Sequence, residues 1–137
     1  MGMSNEEPYF IGSDTVMKDK YKVYVITENP DMFILMSSGI PMCIGEYMER
    51  HYKLGFKPEW ITSITVVDTT KSVMGQYADF GTNMITIPHR SEEEARRNHK
   101  RIVEIIKERD DWMEVLKREF IVINKPVHRM IRDIWRS

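Results

Sequence analysis

The sequence predicts an α+β domain: a small, mainly antiparallel sheet of about five strands, covered by three to four helices, with a helical C-terminal half. Three observations predict it. Alternating or β-branched runs at 21–27, 60–68, 73–80 and 84–88 read as strands. Capped stretches of helical period occupy 40–56, 91–109 and 125–136. The strands come before most of the helices, which is the order of α+β rather than of alternating α/β.

Taken in order, residues 1–12 read as a loose N-terminal arm, pinned by Tyr9, Phe10 and Ile11. YKVYVIT at 21–27 alternates and is β-branched, and ENPD at 28–31 is a turn signal. MFILM at 32–36 is read as the return strand of a hairpin, because its apolar run is continuous rather than periodic. A rival reading of 29–39 has Asn29 as cap, Pro30 at the first helical position and Gly39 as the stop. In the helix over 40–56, Ile44, Tyr47, Met48 and His51 share a face, Gly55 suits the stop and Pro58 forbids continuation.

WITSITVVD at 60–68 follows as a strand, and SVMGQYADF and MITIP around GTN read as a β-hairpin. Ser91 and Glu94 form a capping-box pattern, with three glutamates at a positive helix terminus. Ala95, Ile102 and Ile106 line one face of the helix that follows, with His99 on the same side. Arg109-Asp110-Asp111 interrupts the apolar stripe, leaving one kinked helix or two, the second capped by Asp111 and Glu114. FIVIN at 120–124 is a short strand or an extended linker. Val127, Met130, Ile131, Ile134 and Trp135 complete an amphipathic last helix.

Composition bounds the function. The chain of 137 residues is the length of one domain, read as 1–137, with no repeat, linker or low-complexity segment. No apolar run reaches the roughly 18 residues of a membrane span. No signal peptide or myristoylation pattern is visible at MGMSNEEPYF, and the single cysteine, Cys43, has no disulfide partner within the chain. A cytoplasmic location is expected, with Cys43 a buried, inert thiol. The 11 methionines suit soft core filling, or an adaptable apolar surface. Net charge is −1, but residues 1–88 carry −4 and residues 89–137 carry +3.

Catalytic templates are missing. A strand ending at Pro88-His89 before a capped helix has the layout that precedes a zinc-peptidase helix. That chemistry needs H-E-x-x-H, two histidines holding zinc and a glutamate activating its water. The helix offers His99-Lys100-Arg101-Ile102-Val103, so neither the glutamate nor the second histidine is present. No metal and no cofactor is expected. His99 and His51 read as partly buried structural histidines. There is no phosphate-binding loop, no G-x-G-x-x-G and no nucleophile elbow.

Two constellations remain. If 61–67, 73–80 and 84–88 form a meander, Asp68, Lys71, His89 and Arg90 gather at one sheet edge, where an Asp–His pair with two cations suits acid-base work or phosphate binding. If the helices at 91–109 and 125–136 lie side by side, Arg96, Lys100, Lys107, Arg129 and Arg132 make a basic surface that tracks phosphates.

The reading is therefore a small cytoplasmic binding or regulatory protein, acting through a surface on another protein. The alternatives are a nucleic-acid-associated protein using the basic helices, and a small enzyme with Asp68, Lys71 and His89 as catalytic residues. A membrane partner is not expected. The terminal helix closes the core or, alternatively, pairs with a second copy as a homodimer.

Overall fold

The computed structural model describes residues 10–31 and 44–136. Four strands form one antiparallel sheet in the order β1-β2-β3-β4: β1 Phe10–Met17, β2 Tyr21–Glu28, β3 Trp60–Asp68 and β4 Met84–His89. Five helices accompany it among the described residues: α1 Ile44–Tyr52, α2 Val73–Thr82, α3 Glu92–Glu108, α4 Trp112–Glu119 and α5 Val127–Arg136. The α+β class stands. The sheet has four strands, and helices lie on both of its faces.

Alternation along β2 and β3 sorts the faces. Val23 and Val25 of β2 pair with Val66 and Ile64 of β3, and Ile64 pairs with Ile85 of β4. This inner face carries α3 and α4 in one core, with Ile102, Ile105 and Ile106 of α3 and Trp112, Val115 and Leu116 of α4. The Trp112 indole donates to the Tyr21 hydroxyl at 3.0 Å, tying α4 to β2. Ile61, three residues before Ile64 on β3, points the other way. It belongs to a second cluster with Ile44 and Met48 of α1 and Val127 and Met130 of α5. So α5 spends its apolar face on the chain's own core, as expected of a closing helix. The Trp135 side chain lies outside the described residues.

Several elements differ from the sequence reading, each for a physical reason. The arm read at 1–12 gives way at Phe10 to an edge strand, β1, seven of whose residues pair with β2 between Phe10↔Glu28 and Met17↔Lys22. GSDT at its centre lacks the apolar alternation that marks a strand. With β1 on one side and β3 on the other, β2 has no free edge for a hairpin partner after Glu28. Residues 32–38 lie outside the described residues, as does Cys43. Pro30 and Asp31 are helical, and the Asp31 N–H donates to Asn29 Oδ1 at 2.9 Å.

Residues 73–80, read as a strand, form helix α2. Ser72 caps it, accepting from the Gly75 N–H at 3.2 Å. Asp79 then fixes it to the end of β3. Its carboxylate is 2% exposed and accepts from the Asp68 N–H, Lys71 Nζ and Asn83 Nδ2. Lys71 first, and then the Asp68 N–H, hold its carboxyl below the usual carboxylate range. Strands β3 and β4 therefore pair directly while a helix bridges their ends.

Other expectations hold in detail. Ser91 Oγ accepts from the Glu94 N–H, and Glu94 reaches back to the Arg90 N–H rather than to that of Ser91. The stripe break at 109–111 separates two helices. Asp111 makes no side-chain cap and instead pairs with Arg109. Helix α1 ends with Lys53 at φ 52° and Gly55 at φ 81°, the left-handed geometry of a helix stop. Gly45 of α1 lies against the following loop; a Cβ there would sit 2.6 Å from the Pro58 carbonyl oxygen. The 120–124 connection lies on the outer edge of β4, where Thr86 and Ile123 exchange both backbone hydrogen bonds at 2.9 and 2.8 Å. That covers one sheet edge and, among the described residues, leaves β1 as the open one.

Candidate functional site

The inner face of the sheet carries one row of polar residues where alternation calls for apolar ones. Gly12, Thr27 and Thr62 stand side by side on β1, β2 and β3, and His89 ends β4 opposite Trp60. Asp14 follows Gly12 on the same face of β1. From α3, Asn98 and His99 reach down onto this row. The contacts form an unbroken chain. Asn98 Nδ2 meets His89 Nδ1 at 3.2 Å, and His89 Nε2 meets Thr62 Oγ1 at 2.7 Å. The two threonine hydroxyls meet at 2.6 Å, Thr27 Oγ1 meets His99 Nδ1 at 2.7 Å, and His99 Nε2 meets Asp14 Oδ2 at 2.7 Å.

Donor and acceptor chemistry fixes the direction of this chain. A carboxylate at Asp14 only accepts, so His99 Nε2 carries a hydrogen. At the other end, Asn98 Nδ2 donates to His89 Nδ1, so a neutral His89 donates from Nε2 and the hydroxyls pass that direction on to His99 Nδ1, which accepts from Thr27. Thr27 accepts from Thr62, and Thr62 accepts from the Nε2–H of His89. His89 Nδ1 is left to accept from the amide of Asn98. Every hydrogen points toward Asp14, and every buried member has a partner. Burial pushes His89 down to about 4, so it is neutral near pH 7, as this direction requires.

The chain needs one glycine. A Cβ at Gly12 would lie 3.1 Å from His99 Nε2, with the ring carbons Cδ2 and Cε1 at 3.4 Å. The imidazole rests on the bare backbone of β1, which is how α3 comes close enough to reach Thr27.

An Asp–His–Thr relay has the order of groups that activates a hydroxyl nucleophile. Here the hydroxyls of Thr27 and Thr62 belong to fully buried residues, as does His89. No substrate reaches them. The arrangement fastens α3 to all four strands. Asp14, half exposed, is its end toward solvent.

The sites expected from sequence come apart on this topology. Asp68 and His89 occupy opposite ends of β3 and β4, because His89 pairs with Trp60, eight residues before Asp68. At about 3.4 Å per residue they are roughly 27 Å apart. The meander that was to join them required 73–80 to be a strand. Asp68 and Lys71 stay together, at the start of α2. Asp68 accepts from the N–H and hydroxyl of Thr70, which hold its carboxyl below the ordinary range, while Lys71 binds Asp79 at 2.8 Å. Arg90 is exposed beside His89, its guanidinium 4.2 Å over the Phe56 ring.

The continuous basic surface is also not formed. Helix α3 packs on the inner face and α5 on the outer, so Arg96, Lys100 and Lys107 do not join Arg129 and Arg132. Along α3, Arg96 pairs with Glu92, Arg97 with Glu93 and Arg101 with Glu119. Of the histidines, His99 is buried as expected, whereas His51 is exposed and stacks on Tyr47 at 5.0 Å. Among the described residues no cluster of His, Cys, Asp or Glu could hold a metal ion, and no helix is long and apolar enough to cross a membrane.

Sequence reasoning missed Asp14, Thr27, Thr62 and Asn98. The signal available was the alternation itself, which puts Thr27 in phase with Val23 and Val25, and Thr62 in phase with Ile64. No family model matches the chain, and neither a curated protein nor a solved structure matches it.

Two outcomes test the chain of contacts. Thr62→Val keeps the shape but orphans the His89 N–H and the Thr27 oxygen, at about 1–3 kcal/mol for each group. Urea denaturation is expected to show that loss; a change under about 0.5 kcal/mol, typical of a surface site, contradicts it. The pH dependence follows from His89. Its folded value is depressed from 6.5 to about 4, so the unfolded chain binds the proton first. Its contribution is complete above about pH 6.5 and is lost as pH falls towards 4, amounting to about 3 kcal/mol. Comparing wild type with His89→Gln over that window isolates the effect.

Proposed function

We propose that the protein is a small binding module that docks on another protein through the exposed face of α2. One observation carries this reading. Val73, Met74 and Tyr77 are 69%, 78% and 70% exposed, on a helix with no acidic residue in its first turn and no basic residue in its last. Its only ionisable carboxylate, Asp79, is buried and fully occupied. An apolar partner surface therefore covers this face without stripping water from a charge. The face offers neighbouring anchors at i, i+1 and i+4, the pattern of a helix laid into an apolar groove. Anchoring by Asp79 and the Ser72 cap presents these side chains on a rigid support, which lowers the ordering cost of binding.

Phosphate tracking is less well supported, because the arginines of α3 are already paired with glutamates. Acid-base catalysis by Asp68 with His89 has no supporting geometry.

A photo-crosslinking residue at position 74 tests the proposal in the native cell. The expected result is a nuclease-resistant adduct with one protein, lost on Tyr77→Glu and kept when Arg96, Lys100 and Lys107 are reversed to glutamate. The melting temperature is expected to stay unchanged in both variants. A nuclease-sensitive adduct, or one indifferent to Tyr77→Glu, contradicts the proposal.

A further inference from the structure

Strand β1 gives one edge to β2, and among the described residues no strand pairs with the other. The turn into β2 fixes which groups face that open edge. The Lys18 N–H donates to the Tyr21 carbonyl at 2.9 Å, so these two form a hydrogen-bonded pair. Bonded and non-bonded pairs alternate along an antiparallel ladder, so Val16, Asp14 and Gly12 turn their N–H and C=O groups toward β2. Ser13, Thr15 and Met17 turn theirs outward. Open edges are usually guarded by lysine or proline. FIGSDTVM has neither. Its guards are a bulge between Phe10 and Gly12 and one carboxylate, Asp14.

The bulge also sorts the side chains. Phe10 stands opposite Glu28 and Gly12 opposite Thr27, which puts Phe10 on the outer face with Ser13, Thr15 and Met17. Phe10 is 54% exposed and Met17 is 67% exposed. Two exposed apolar side chains therefore mark the two ends of one open edge, on one face of the sheet. Ser13, Asp14 and Thr15 between them are exposed as well.

We infer that β1 pairs edge to edge with β1 of a second copy of this chain, antiparallel about a two-fold axis at Asp14, joining two four-stranded sheets into one. In this register Ser13 and Thr15 of one copy exchange backbone hydrogen bonds with Thr15 and Ser13 of the second. Gly12 lies opposite Val16. Across the bulge Phe10 lies opposite Met17, once at each end, and each ring gains a sulfur contact. A second copy is the partner these ends already match, because antiparallel order brings the Phe10 end of one strand to the Met17 end of the other. The contact is smaller than the roughly 1,200 Å² of a stable interface, so the dimer is weak, with a Kd on the order of 0.1 mM. Asp14 keeps it weak. The two Asp14 carboxylates face each other at the centre of the pair, where like charges oppose pairing. Helix α2 packs on the β3–β4 side of the sheet, so the inference is independent of its docking.

Sedimentation equilibrium of the full chain at pH 7, from about 10 µM to about 1 mM, tests the inference. A reversible monomer–dimer equilibrium is expected. Met17→Lys alters one exposed side chain and is expected to weaken the dimer at least about tenfold. Thr15→Pro removes an N–H that faces outward, leaves the ladder to β2 intact and is expected to abolish pairing. Asp14→Asn keeps an acceptor for His99 and removes the repulsion, so the dimer is expected to tighten about threefold or more. Tyr77→Glu is expected to leave it unchanged. Amide exchange is expected to slow with concentration at Ser13 and Thr15, and not at Asp14 and Val16, whose N–H groups are already bonded to β2. Four outcomes overturn the inference: a chain still monomeric at about 1 mM; a dimer indifferent to Met17→Lys; a dimer lost in Tyr77→Glu, which places the contact on α2; or a dimer unchanged or weakened in Asp14→Asn.

Discussion

Five hydrogen bonds running from Asn98 to Asp14 hold this fold together. Two threonines and two histidines occupy the layer between the sheet and α3, and none of them tolerates burial without a partner. Their pairing succeeds only as a set. His89 must be neutral for its Nδ1 to accept from Asn98, Thr27 must be free to donate to His99, and Gly12 must lack a side chain for His99 to come down onto β1. Residues from every strand and two from α3 therefore depend on one another. A network of this kind fixes the register of all four strands, because a slip of one residue would turn Thr27 or Thr62 to the outer face.

The same chain decides where recognition can occur. The inner face is closed by α3 and α4, and its polar groups are consumed by one another. The basic residues of α3 are largely matched by glutamates on the same or the next helix. What remains open on α2 is apolar and uncharged. Asp79 links this surface to the scaffold by holding α2 to the end of β3.

Elements with a local chemical signature were legible in the sequence. β2 and β3 alternate or are β-branched, Ser91 with Glu94 opens α3, and Arg109 to Asp111 ends it. β1 was not, because Gly12, Ser13 and Asp14 give no strand pattern; Gly12 is there for His99 and Asp14 for the end of the chain. α2 was misread because Val, Tyr and Phe favour strands, whereas the Ser72 cap and the burial of Asp79 make it a helix. That one element moved the whole candidate site. With a strand at 73–80, Asp68 and His89 share an edge; with a helix there, β3 and β4 pair directly and the two residues lie at opposite ends. The polar chain depends on strand order and on side chains distant in sequence, so no local pattern reveals it. Only the two threonines in core-facing phase hinted at it.

The most direct test of this account is the tautomeric state of the two buried histidines, read from long-range ¹H–¹⁵N correlations of the imidazole rings in the intact protein at neutral pH. The account predicts that His89 and His99 both carry their hydrogen on Nε2, with Nδ1 bare and accepting. A hydrogen on Nδ1 of His89 would reverse the direction of the chain and contradict the arrangement on which the rest of the structure is argued to depend.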